Sequence, residues 1–297
     1  MMYFYSRKRN IFIGLSFFLA FTGWGCLLAL QPPLYPLIAE QKGASPSQYG
    51  FVFGILNLSA LIFAPLFGRF GNKIGSTYLY TMGSFSQGVI SILFGLLQYV
   101  TSTEVFIGLS YGLRFVNGIA DAAVWGSSLA ILLKMFPDKA TTLMSYTEMC
   151  LALGYILGPS IGSLLYETGG FMLPYQVVGS ILVVSSVCLC FSLPNVDHLT
   201  LKDNLSVENK PMKAKHILKN PSLVLPFMDN FLNYASYGMI EAMLEPHMLE
   251  IHSTQRDVSY AFLISGAVYF IVAPFTGLVS HFKHLSFQYS LHCFTGM

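Results

Sequence analysis

Apolar residues along this chain gather into blocks of about 20 or more, the length a helix needs to cross a bilayer, and the breaks between blocks are short and polar. The pattern predicts eight helices, at about 11–38, 48–68, 77–99, 105–134, 144–166, 171–193, 222–249 and 258–280. Pro32-Pro33 and Pro36 are expected to interrupt the first helix. The stretch between the sixth and seventh blocks holds Asp197, Lys202, Asp203, Glu208 and four further lysines, and reads as a solvated linker. The expected organisation is therefore a six-helix half (1–193), a cytosolic linker (194–221), a partial second half of two helices (222–284) and a divergent tail (285–297).

Composition agrees with that class. Of 297 residues, 54% are hydrophobic and only 10% charged, where a soluble domain carries about 25% charged residues. Mean hydropathy is +0.59. The net charge of +2 carries less information than its distribution. With the N-terminus in the cytosol, 13 of the 16 Lys and Arg fall on the cytosolic side. Lys42 and Arg256 fall opposite, and Arg114 lies inside a helix. That is a positive-inside bias, and it predicts an unmodified Asn204 in the sequon Asn204-Leu-Ser. The opening Arg7-Lys8-Arg9 resembles the start of a signal peptide, but the apolar run that follows has no convincing small-residue cleavage site, so a retained helix is expected. The five cysteines are odd in number, and the first four read as small packing residues. No metal-ligand spacing or HExxH helix is present in the sequence, and the letters Gly158-Pro-Ser160-Ile-Gly162 fall inside an apolar helix and not on a strand-to-helix elbow. The chain reads as neither an enzyme nor a nucleic-acid binder, and no cofactor is implied.

Ionisable residues inside apolar helices are costly and mark candidate sites. Arg114 and Asp121 are seven apart, two turns along one face and about 10 Å in rise. Glu241 and Glu245 are four apart and share a face of the seventh helix. Glu148 and Asp229 lie nearer helix ends, where the headgroup region is an alternative setting. Arg114 serves equally as a structural clamp or a transport residue, and Asp121 as helix glue or a proton site. Glu245, before helix-loosening Pro246, is the leading candidate for substrate and proton coupling.

The fifth helix contains Gly154-x3-Gly158-Pro159-x2-Gly162, whose small residues permit close helix approach and whose proline bends the segment, so it reads as a hinge or seal. Ala64-Pro65-x2-Gly68 and Ala273-Pro274-x2-Gly277 echo one another, as do Leu30-Gln-Pro32 and Leu244-Glu-Pro246. These echoes suggest a second copy of the first half, beginning at the seventh helix.

These residues resemble the major facilitator superfamily, in its drug:proton antiporter branch. The fifth-helix motif is similar to that branch's antiporter motif, with Ser163 in place of its last glycine. Arg114-x2-Asn117-Gly118 is similar to the fourth-helix arginine motif, and Gly68-x3-Asn72-Lys73-x-Gly75 to the cytosolic loop motif, where Asn72 replaces the usual Asp. Pro33-Leu-Tyr-Pro36-x3-Glu40-x-Lys42-Gly43-Ala44-Ser45, Glu148 and Leu244-Glu245-Pro246 resemble the vesicular amine and polyamine transporters. Thr22-Gly-Trp24-Gly-Cys26 stands where monoamine members carry an aspartate. The resemblance implies an all-α polytopic membrane protein of the major facilitator fold, with the six-helix N-terminal half and two helices of the C-terminal half. It implies proton-coupled antiport of an organic cation, a polyamine or amine, into vesicles or acidic organelles. Glu245, Glu241, Asp121, Glu148 and Arg114 would form the coupling set, and Gly154, Gly158, Pro159 and Gly162 the gating motif. After Gly277 the chain departs from the family pattern and reads as truncated after the eighth helix. The alternative reading is accordingly a non-transporting or regulatory isoform that associates with a full-length homologue.

Overall fold

The computed structural model describes residues 7–136, 140–193 and 255–279, with isolated positions between 228 and 251. Among the described residues the chain is helical, without strands. In chain order the helices are α1 (Arg7–Gln41), α2 (Pro46–Ile74), α3 (Ser76–Gly95), α4 (Thr103–Met135), α5 (Ala140–Gly169), α6 (Met172–Ser192) and α7 (Gln255–Val279). A 3-10 turn, Leu96–Tyr99, continues α3. The first six are long and apolar enough to span a bilayer. The eighth expected helix is α7. Most of the seventh, with Asp229, Glu241 and Glu245, lies outside the described residues, as do the linker 194–221, Asn204 and the tail 285–297.

Two local features differ from expectation. The first helix is not interrupted: α1 runs continuously through Pro32, Pro33 and Pro36. All three prolines are buried. In a bilayer, neighbouring helices hold such a segment together where a water-exposed helix would break. The cytosolic loop motif is also scarcely a loop. Gly75 alone separates α2 from α3, and its φ of 105° is closed to most L side chains. Lys73 is exposed at that end.

The helices pair as α1 with α5 and α6, α2 with α4, α3 with α4 and α6, and α5 with α7. Glycine sets the spacing at the tightest crossings. A Cβ on Gly118 would lie 2.2 Å from the Leu56 carbonyl oxygen of α2, and one on Gly88 would lie 2.8 Å from the Gly179 oxygen of α6. Such contacts leave no room for any side chain, which is how helices approach closely without a hydrophobic driving force between them. Outward faces are apolar: Phe51, Leu58, Leu61, Ile62 and Leu66 of α2 are all exposed, as a lipid-facing surface requires. Cys26 is buried and Cys150 and Cys188 half-buried, whereas Cys190 lies on an exposed face of α6.

Candidate functional site

Arg114 is the largest fully buried side chain, 2% exposed, near the middle of α4. Its guanidinium lies over the Phe94 ring of α3 at 4.9 Å and near Phe53 of α2 at 6.0 Å. The bed of rings extends outward from there. Tyr35 of α1 stacks on Phe106 at 5.7 Å and meets Phe94 at 5.3 Å, and Tyr175 of α6 meets Phe94 at 5.3 Å. A planar, weakly hydrated cation suits such a bed better than an ammonium would. Arg114 thus draws α1, α2, α3 and α6 to one point, while Gly118, one turn on, lets α2 touch the backbone of α4.

Asp121 follows two turns after Arg114, as the spacing predicts. The Gln87 side-chain amide of α3 donates to its Oδ1 at 3.1 Å, and the Trp24 side chain of α1 also hydrogen-bonds the carboxyl group. Trp24, 5% exposed, meets Trp125 of α4 edge to face with ring centres 5.1 Å apart. Both direct partners of Asp121 are neutral. The α1 segment noted for lacking an aspartate therefore presents a tryptophan to an acid carried by α4.

The α5 glycines face α1. A Cβ on Gly154 would lie 2.4 Å from the Thr22 carbonyl oxygen, one on Gly158 would lie 2.8 Å from the Cys26 oxygen, and one on Gly162 would lie 3.2 Å from Leu30 Cβ. Gly25 returns the contact, its Cβ position 2.4 Å from the Leu151 oxygen. α5 is a single helix through Pro159. The motif's glycines act here as a backbone-to-backbone seam.

Glu148, 8% exposed, accepts a hydrogen bond from the Tyr269 hydroxyl of α7. The same two helices meet closely at Gly266, whose Cβ position is 3.1 Å from Ile156 Cγ1. Glu148 is therefore buried where α5 meets α7.

Sequence reasoning read Lys42 as a charge on the minority side and as part of a family-like stretch, and missed what its side chain does. Its ammonium donates to the Gln98 carbonyl oxygen at 3.1 Å and to the Val100 carbonyl oxygen, and lies 5.3 Å from the Phe106 ring centre. Thr103 Oγ1 donates to the Lys42 carbonyl oxygen at 2.5 Å. Gly43, with φ 79°, turns the chain there, and the Tyr49 hydroxyl donates to Glu40 Oε1 at 3.0 Å. The Glu40-x-Lys42-Gly43 stretch is thus a clamp of the α1–α2 turn onto the α3–α4 turn. At the opposite end Lys134 donates to Ser76 Oγ at 3.2 Å, tying α4 to the start of α3. The side chain of Asn72 and the residues Glu241 and Glu245 lie outside the described positions.

A cavity of about 310 Å³ opens between the N-terminal part of α1, the C-terminal end of α4 and the start of α5. Phe17, Phe21, Ile131, Leu132, Thr147 and Cys150 contribute to its lining. Among the described residues no group of three or more His, Cys, Asp or Glu gathers as a metal site would require. Among the described residues, the arrangement offers two interior carboxyl groups, Asp121 and Glu148, the buried cation Arg114 and an apolar recess.

A family model for the Major Facilitator Superfamily matches residues 13–293. The chain is 28% identical over 274 residues to the human "MFS-type transporter SLC18B1", covering 92% of this chain and 58% of that protein. The rat protein of the same name is 33% identical over 179 residues, 60% of this chain and 39% of the relative. "Multidrug resistance protein MdtG" of Yersinia enterocolitica is 24% identical over 272 residues, 88% of this chain and 61% of that protein. The chain thus spans less than two thirds of the length of these relatives. Relatives and family are transporters, and no enzyme is among these matches. The helical bundle, the buried arginine of α4, the glycine seam of α5 and the match across residues 13–293 agree: this multi-pass membrane protein belongs to the major facilitator superfamily.

Proposed function

We propose that this chain carries out, or forms part of a protein that carries out, proton-coupled antiport of an organic cation, an amine or polyamine, across an endomembrane. The N-terminus faces the cytosol, and the destination is a vesicle or other acidic organelle. The observation that carries the reading is Asp121, an interior carboxyl group whose direct partners, Gln87 and Trp24, are both neutral. A carboxyl group in such a setting can hold a proton or a cationic substrate but not both at once, and that competition couples the two fluxes. Glu148 is a second such group, and Glu245, with Glu241, keeps its assignment from the sequence as a coupling residue of the second half. Arg114 would fix the helix that bears Asp121, and the Gly154–Gly162 seam would keep α1 and α5 from leaking ions. The resemblance to vesicular amine and polyamine transporters and the names of the relatives support the transport class.

Reconstitution tests it. Lipid vesicles containing the purified chain, acidified inside, are expected to accumulate a labelled organic cation until the pH gradient is collapsed. Asp121→Asn and Glu245→Gln should each abolish accumulation with the protein still inserted. Uptake that ignores the gradient would overturn proton coupling. Accumulation that appears only on co-reconstitution with a longer homologue would assign this chain a regulatory role.

A further inference from the structure

Two tyrosines in the aromatic bed around Arg114 bring hydroxyl groups to an interior of rings. Tyr35 of α1 and Tyr175 of α6 are each 0% exposed, and neither hydroxyl makes a hydrogen bond. Both rings pack on Phe94 with centres 5.3 Å away, and Phe94 also carries the Arg114 guanidinium at 4.9 Å. The two hydroxyls lie within electrostatic reach of Arg114 and of one another. Ser110, one turn before Arg114, lies beside the Tyr35 hydroxyl without completing a hydrogen bond to it, and its own proton goes to the Phe106 carbonyl oxygen at 2.8 Å. Phe53, Phe106 and Phe171 close around Tyr35 at 6.0, 5.7 and 6.5 Å. A buried hydroxyl without a partner is costly, and two of them beside one buried cation ask for a shared ligand.

We propose that Tyr35, Tyr175 and Arg114 form a binding site for one small inorganic anion, chloride, enclosed among α1, α4 and α6. The site stands apart from the antiport reading and does not depend on it. A phenol hydroxyl donates one hydrogen bond, and an anion is the ligand that takes one from each hydroxyl while lying against a fixed positive charge. Water would accept the same two bonds, but it brings no charge to a guanidinium held in a low-dielectric interior. The enclosure sets the size class. A carboxylate or phosphate would press its further oxygens against phenylalanine rings, which offer no donor, whereas a single-atom anion leaves nothing over. Bound there, chloride joins α1 and α6 to α4 through one atom. It acts as a structural ligand of the six-helix body, beside the ring stacking that Arg114 already makes.

The test melts the full chain in lipid discs in sodium chloride and in sodium gluconate, at equal ionic strength and pH, with a thiol dye reading the exposure of buried Cys26. Chloride is expected to raise the melting temperature saturably, by about 5 °C or more at saturation. Labelled chloride should stay with the chain through gel filtration at about one ion per chain, as a single site on Arg114 requires. Tyr175→Phe keeps the ring against Phe94 and removes one donor, so chloride affinity should fall by about tenfold or more. In gluconate the same variant should melt at or above the parent, because a hydroxyl without a partner is gone. Tyr35→Phe should behave alike, and Tyr99→Phe, at an exposed tyrosine, should keep the full chloride response. Equal melting in the two salts with no retained chloride would overturn the site. So would parental chloride affinity in both Tyr35→Phe and Tyr175→Phe, or a Tyr175→Phe chain that melts below the parent in gluconate, since that hydroxyl would then have a protein partner.

Discussion

Replacing Gly154 with alanine adds one methyl group at the point where α5 meets α1, and the structure says what that methyl group meets. It would lie 2.4 Å from the Thr22 carbonyl oxygen, 2.6 Å from the Cys26 nitrogen and 2.7 Å from Gly25 Cα. Ordinary contact needs about 1 Å more, and all three atoms are helix backbone, so relief requires moving one helix away from the other. Overpacking of this kind costs about 1–3 kcal/mol, and rigid backbone on both sides puts Gly154 at the upper end. Alanine returns about 1 kcal/mol of helix propensity. The net expectation is a loss of about 2 kcal/mol, or about 4–8 °C in melting temperature at about 2–4 °C per kcal/mol for a chain of this size. Gly126 on α4 is the control, since nothing lies within 4 Å of its Cβ position. Gly126→Ala keeps the propensity gain of about 1 kcal/mol and should melt higher than the parent. Cys26 is buried beside the Gly154 contact, so its reaction with a thiol dye on heating reads the seam directly, in a background where the other four cysteines are serine. Gly154→Ala melting at or above the parent would refute the backbone-seam account, and so would Gly154→Ala and Gly126→Ala shifting alike.

The remaining expectations follow from single contacts. Lys42→Met removes charge-assisted hydrogen bonds to the Gln98 and Val100 carbonyls and should cost about 1.5–3 kcal/mol, measured as a lower melting temperature with the turn Lys42–Ser45 newly open to protease. Arg114→Lys keeps the charge but loses the planar group over Phe94, and should destabilise by about 1–2 kcal/mol, where a neutral outcome would reduce Arg114 to a simple charge. Ile156→Cys with Gly266→Cys should form a disulfide between α5 and α7 under mild oxidation, seen as altered mobility after cleavage between them. Expression in glycosylating membranes should leave Asn204 without a glycan, and its modification would reverse the proposed orientation.

Membrane spans are local objects, so the sequence located them well. The fourth was expected at about 105–134 and is Thr103–Met135, and the sixth at about 171–193 and is Met172–Ser192, because a run of apolar residues of bilayer length has few other folds open to it. The proline-rich end of α1 went the other way. Local propensity argued for a break, and burial among neighbours outweighed it. The shared face of Arg114 and Asp121 was legible from helical period alone. What each of them touches was not, since Phe94, Gln87 and Trp24 come from helices tens of residues distant and nothing in their own neighbourhoods marks them. What Lys42 touches went unread for the same reason. Its clue was a lysine beside Gly43-Ala-Ser-Pro, a turn signal whose partner turn lies more than fifty residues on.

The two described interior acids have different mechanical settings, and that difference bears on how exchange would work. Asp121 is held by α1 and α3, and α1 is locked to α5 by the glycine seam, so both of its partners belong to the packed six-helix body. A ligand can bind at Asp121 without α7 taking any part. Glu148 belongs to the same body, but its partner Tyr269 belongs to α7, so the contact breaks if α5 and α7 separate. A ligand shifts a conformational equilibrium only by as much as it binds the two states differently. A cation at Asp121 alone has no described contact that changes between states, whereas a proton at Glu148 alters the hydrogen bond that joins the two helices. Under the proposed antiport, then, recognition falls to Asp121 and the sensing of movement to Glu148. Glu148→Gln should accordingly leave cation binding at Asp121 within about twofold of the parent while slowing gradient-driven uptake by about tenfold or more. Binding lost together with uptake would merge the two roles into one site.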